Sequence, residues 1–280
     1  MENLKQILRK HDFAFKKAYG QNFLTDESLL EDIVKEAGVT KEDVVLEIGC
    51  GAGALTKWLS KYAKRVVGYE IDNKLKPILE ETLEGTDNVE IVFNDVMKES
   101  LVEVEKKLKS EYIMVANLPY YITTPIVMEF LEKAKNIKAM VIMVQEEVAK
   151  RFSATKGTSD YGAITVAINL RGSAKIIKRV GREKFTPVPN VDSAVVKIDI
   201  EKNKTDGIDM LAVRDAVRCG FSNRRKMLVN NLMNTYKLSR IDAERVLNES
   251  GISLTARGEV LDEKEYILLS QALKKVKNGK

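Results

Sequence analysis

Short apolar runs recur along the first two-thirds of the chain, each followed by a stretch with helical spacing. Val44–Ile48, Arg65–Tyr69, Val89–Phe93, Tyr112–Ala116 and Ala139–Val144 read as strands. Between them, helices are predicted to about Ala37, through Trp58 and Leu59, and over Lys74–Leu83, Met97–Lys109, Thr124–Ala134 and Glu146–Ser153. The first starts near Thr25-Asp26-Glu27-Ser28 and carries Leu29, Leu30, Ile33 and Val34 on one face. Apolar strands alternating with helices predict an α/β fold whose mostly parallel sheet is covered on both faces. Thr155–Gly162 reads as a polar loop that could cover a substrate or simply lie at the surface. Ala163–Arg171 and Ala194–Ile200 read as late strands, and an antiparallel pair there would make the sheet mixed. Glu201–Gly207 reads as a polar linker, after which the spacing is only helical, over Met210–Cys219, Arg224–Tyr236, Arg240–Ser250 and Glu263–Lys275. The expected domains are 1–203, a catalytic domain with a basic N-terminal arm, and 204–280, a small all-helical domain.

The strand ends carry the candidate chemistry. Val44–Ile48 runs into Gly49-Cys50-Gly51-Ala52-Gly53-Ala54 and then a helix, the arrangement of nucleotide-binding loops. Gly49, Gly51 and Ala54 fit the dinucleotide pattern; Gly49, Gly51 and Gly53 fit that of S-adenosylmethionine enzymes. Glu70 ends the next strand, where either cofactor's ribose needs an acidic acceptor. Asn94-Asp95 ends the third. Asn117-Leu118-Pro119-Tyr120 ends the fourth. The Asn117 side chain and the Leu118 carbonyl can accept the two hydrogens of an exocyclic amine, while Tyr120 offers a flat face to its ring. Pro119 turns the backbone out of the sheet. Phe185, at the start of Phe185–Ser193, could close the ring's second face. In open α/β sheets ligands bind beyond the carboxyl ends of the strands, so four polar tips in succession predict one site.

Composition narrows the function. At 280 residues, 44% hydrophobic and 31% charged, the chain reads as an ordinary globular protein of one or two domains. A single histidine, His11, argues against a Ser-His-Asp triad or a His-rich metal site, and no metal is expected. Cys50 and Cys219 have no metal-ligand spacing and read as free thiols in a reducing compartment. The basic start lacks the apolar core of a signal peptide, and no run has the length of a membrane span, so a cytoplasmic protein is expected. The net charge of +5 suits a polyanion where it is concentrated. The candidate concentrations are the arm, with Lys16 and Lys17 among Phe13, Phe15 and Tyr19, and Arg218, Arg224, Arg225 and Lys226 around Phe221.

Gln21-Asn22-Phe23-Leu24, Glu47-Ile48-Gly49-Cys50-Gly51-Ala52-Gly53, Asn117–Tyr121 and Phe185–Ser193 occur in the order seen in ribosomal RNA adenine dimethyltransferases, which the chain resembles over nearly its whole length. The resemblance implies a class I methyltransferase fold using S-adenosylmethionine. It also implies dimethylation of two adjacent adenosines near the 3′ end of 16S rRNA, with the small ribosomal subunit as partner and no obligate protein partner. By resemblance Asn22, Leu24, Gly49, Glu70, Ile71, Asp95, Val96 and Asn117 line the cofactor site. Rival readings are a methyltransferase of large-subunit rRNA or of DNA adenine, a non-catalytic ribosome-assembly factor, and, from the glycine loop alone, a dehydrogenase.

Overall fold

The computed structural model describes residues 4–16 and 20–278. The chain forms two compact units, one running up to Ala149 and resuming over Ala174–Ile200, the other made of Lys150–Ser173 and the chain from Glu201 onward.

In the first unit, α1 (Leu4–Lys10), β1 (Phe23–Leu24) and α2 (Glu27–Ala37) precede an alternating series. This series is β2 (Val44–Ile48), α3 (Ala54–Tyr62), β3 (Arg65–Glu70), α4 (Lys76–Thr82), β4 (Val89–Phe93), α5 (Leu101–Leu108), β5 (Tyr112–Asn117), α6 (Thr123–Lys133) and β6 (Ile137–Gln145). The helices form where the sequence supplies caps and an apolar face. Asp26 accepts from the Leu29 N–H at the start of α2, and Gly38 closes its end in the left-handed region. Leu29, Leu30, Ile33, Val34 and Ala37 turn inward from it and are buried.

After α7 (Glu146–Phe152) and α8 (Ala163–Arg171), the chain returns with β7 (Gly172–Val180), β8 (Phe185–Thr186) and β9 (Ser193–Ile200). The seven-stranded sheet has the order β4-β3-β2-β5-β6-β9-β7. β2 pairs parallel with both β3 and β5, and β6 pairs antiparallel with β9, so the sheet is mixed. Strand order reverses between β2 and β5, opening a crevice beyond Ile48 and Ala116. β1 and β8 form a separate ribbon pairing Leu24 with Phe185.

Two expectations change. Residues 163–171 are a helix, and the strand lies in the basic run that follows. Ile164, Thr165, Val166, Ile168 and Leu170 are all buried, so β-branched residues sit in a helix with little polar face. β7 lies at the edge of the sheet, where Lys175 and Arg179 point to solvent. The division also differs from 1–203 and 204–280. Tyr161, Val166 and Leu170 pack into the core of the second unit, with Val213, Leu232, Leu247 and Tyr266 from its helices α9 (Met210–Phe221), α10 (Leu228–Tyr236), α11 (Arg240–Glu249) and α12 (Glu263–Asn278).

Candidate active site

One cavity opens at the strand crevice. Gly49, Gly51, Glu70, Ile71, Asp95, Val96, Asn117, Leu118 and Tyr120 line it from the sheet side. Asn22, Leu24 and Phe185 line it from the two-stranded ribbon and the loop before it. Gly53 does not line it. Gly53 precedes α3 at φ 84°, and a Cβ there would meet Leu79 at 3.0 Å and Thr82 at 3.2 Å, so it serves packing against α4.

The glycine loop is held from both ends. Gly49 N–H donates to the Tyr69 carbonyl at 2.8 Å, and Gly51 N–H donates to Glu70 Oε2 at 2.8 Å. The other Glu70 oxygen accepts from Asp72 N–H at 2.8 Å. Burial pushes the Glu70 carboxyl up, against the pull of these N–H donors. Asp72 is buried as well, yet the Lys16 ammonium at 2.7 Å, the Lys74 N–H and Gln21 hold its carboxyl below the usual range.

Lys16, expected on RNA, is therefore committed to Asp72, because a carboxylate 2% exposed requires a counter-charge. Phe13 and Phe15 of the arm are committed too. Phe13, Phe15 and Phe23 form a cluster with ring centroids 5.4–5.9 Å apart, and Phe23 lies on the loop where Gly51 would carry a Cβ. Lys17 and Tyr19 lie outside the described residues.

Asn117 Nδ2 donates to the Asn22 carbonyl at 3.3 Å. This bond fixes the amide so that Oδ1 remains as the acceptor. Tyr120 is half-buried, with its hydroxyl 3.1 Å from Ser193 Oγ. Phe185 is 3% exposed and contributes wall to the cavity from within the core.

Glu47 enters the sequence reading only within the Glu47–Gly53 motif, with no role of its own, although an acid inside the apolar run Val44–Ile48 was its signal. It lines the cavity 1% exposed, and its Oε2 has no hydrogen-bond partner. Burial pushes its carboxyl up to about 7, and the charge on Glu70 adds to that.

In the second unit, Arg218, Arg225 and Lys226, expected on RNA, are exposed. Arg224 is not a free phosphate ligand. Its guanidinium donates to the Ser159 carbonyl at 3.0 Å and the Tyr161 carbonyl at 2.9 Å, and reaches Glu259 at 3.3 Å. It anchors the 159–161 loop, which has no other cation aimed at those carbonyls among the hydrogen bonds described.

The description "Ribosomal RNA adenine dimethylase" belongs to the family model that matches residues 12–268. This chain belongs to that family. It is 44% identical to a protein named ribosomal RNA small subunit methyltransferase A from Geobacillus thermodenitrificans, covering 96% of this chain and 94% of the relative. A protein of the same name from Clostridioides difficile is 40% identical over 96% of this chain and 94% of its own length. Among solved structures, a dimethyladenosine transferase from Plasmodium falciparum superposes with a TM-score of 0.78 at 25% identity, over 91% of this chain and 98% of that one. The 23S rRNA methyltransferase ErmE gives 0.68 at 28% identity, over 90% and 100%. The fold is that of the class I S-adenosylmethionine-dependent methyltransferases, with a mostly parallel sheet and a helical unit.

Proposed function

We propose that the protein dimethylates the exocyclic N6 amines of two adjacent adenosines near the 3′ end of 16S rRNA, using S-adenosylmethionine, during small-subunit maturation. The observation that carries this reading is the Asn117 amide, locked by the Asn22 carbonyl with Oδ1 left to accept. The names of the relatives at 96% coverage favour the small-subunit substrate over the large.

The cavity fits the methyl donor. Two buried carboxyls, Glu47 with an orphaned oxygen and Glu70 at the end of β3, suit a ligand bearing ammonium and sulfonium charges and a ribose. Ile71 and Val96 add apolar wall, and Asp95 adds an acceptor for an exocyclic amine. When bound, the donor supplies a methyl group already activated on sulfur.

The chain's residues then align and polarise the acceptor. Asn117 Oδ1 and the Leu118 carbonyl accept the two amine hydrogens, which draws the nitrogen toward tetrahedral geometry and localises its lone pair. Such alignment accounts for roughly 7–11 kcal/mol of barrier in favourable systems. Tyr120 and Phe185 hold the extruded base. Stacking at roughly 1–3 kcal/mol per base offsets an extrusion cost of a few kcal/mol. The alkylated nitrogen releases its proton to water, so the chain needs no strong base.

The test is methyl transfer to unmethylated small subunits with nucleoside mass spectrometry. Dimethyladenosine at two neighbouring 16S positions is the expected product. Asn117→Ala should lose turnover by 100-fold or more, on the order of one lost polarising contact, while S-adenosylmethionine and RNA still bind. Near-normal methylation by that variant would remove the amide from the mechanism.

A further inference from the structure

The reaction described above leaves Tyr121 unused. Tyr69 and Tyr112 in the same unit are 1% and 0% exposed, with hydroxyls donating to Glu99 and Glu105. Tyr121 also lines the active-site cavity, yet it is 66% exposed. Its mounting is firm. The Pro119 carbonyl accepts from both Ile122 N–H and Thr123 Oγ1 at 3.1 Å, clamping the turn that carries it. Gly20, at φ 57°, brings its backbone so close that a Cβ would come 3.0 Å from Pro119 Cβ and 3.7 Å from Tyr121 Cε1. A side chain at position 20 would thus touch one edge of the ring, while most of the ring's surface meets water. An aromatic ring left in solvent on a clamped turn at the rim of the active-site cavity is a stacking platform.

Resting on the methyltransferase reading above, we propose that Tyr121 stacks on the nucleotide flanking the base in the cavity, which is the second adenosine of the substrate pair. Extruding one adenine breaks its stack with that neighbour. Tyr121 replaces the lost face and holds the strand in register, so that the two adenosines are presented in turn. Tyr120 and Tyr121 then divide the work, one on the reacting base and the other on its neighbour.

The experiment compares wild type, Tyr121→Phe and Tyr121→Ala on unmethylated small subunits, and on subunits reconstituted with an abasic site at one of the two adenosines. Tyr121→Ala should lower kcat/KM for intact subunits by about 10- to 100-fold, the range that one base stack carries. Tyr121→Phe should stay near wild type, and the Kd for S-adenosylmethionine should not change. On abasic subunits the alanine variant and wild type should converge, since the neighbour's base is already gone. Equal loss on intact and abasic subunits, or wild-type rates from Tyr121→Ala, would overturn the stacking role. No transfer by the wild-type protein would instead overturn the underlying function.

Discussion

Glu47 shows how a single side chain couples the site to stability. An ordinary glutamate titrates near 4.5, whereas burial lifts Glu47 to about 7 in the folded chain. The folded state therefore binds more protons than the unfolded chain between those values, and stability falls as pH rises across that window. Below about 4.5 the group is protonated in both states and exacts nothing. Above about 7 the full cost applies, on the order of 3 kcal/mol from the shift in pKa. Glu47→Gln removes the titration and keeps the shape. Denaturant unfolding at pH values from 4.5 to 8 should show wild type losing roughly 3 kcal/mol relative to the glutamine variant. Parallel pH curves for the two proteins would show that Glu47 ionises freely. A site that keeps such a group accepts reduced stability for a cavity that welcomes a cation.

At the scale of elements, the loop depends on the strand beneath it. Gly68 in β3 does not line the cavity, but a Cβ there would overlap the Cys50 sulfur and come 2.9 Å from Ile91 Cδ1. Gly68→Ala should push the glycine loop outward. Overpacking of this kind costs about 1–3 kcal/mol, and the Kd for S-adenosylmethionine, measured by calorimetry, should rise about tenfold. Adding Cys50→Ala should restore part of the affinity by making room; no recovery would place the damage elsewhere in β3. The β2–β6 series, its helices and the convergence of four strand tips were legible because mostly apolar runs and glycine signals are local properties of the sequence. Residues 163–171 were not legible. Their β-branched content favours a strand, and only packing among the helices of the second unit makes them helical. The fates of Lys16 and Phe13 were hidden for a related reason. Each is settled by a partner distant in sequence, Asp72 for the lysine and the Phe23 ring for the phenylalanine, and no spacing rule pairs them.

At the scale of the molecule, charge separates the two units. Basic residues outnumber acidic ones in the helical unit and the reverse holds in the sheet unit, so the chain's excess of positive charge comes from the helical one. Binding to a polyanion is driven by counterion release, and each phosphate contact adds nearly one unit to the slope of log K against log salt. The four cations around Phe221 looked equivalent in sequence, but the structure divides them. All three of Arg224, Arg225 and Lys226 are exposed, but Arg224 spends its donors on two carbonyls and a carboxylate. Replacing Arg225 and Lys226 together by alanine should weaken rRNA binding and reduce the salt slope by roughly 2, with the melting temperature nearly unchanged. Arg224→Ala should do the opposite. It strands the Ser159 and Tyr161 carbonyls and should cost about 1–3 kcal/mol of stability in the helical unit, with little change in slope. Filter binding across a salt series and thermal melts of the same variants separate the two outcomes. A slope that falls with Arg224 and holds for the other pair would reverse the assignment. It would also mean that the phosphate-facing side of this helical unit lies on the 159–161 loop.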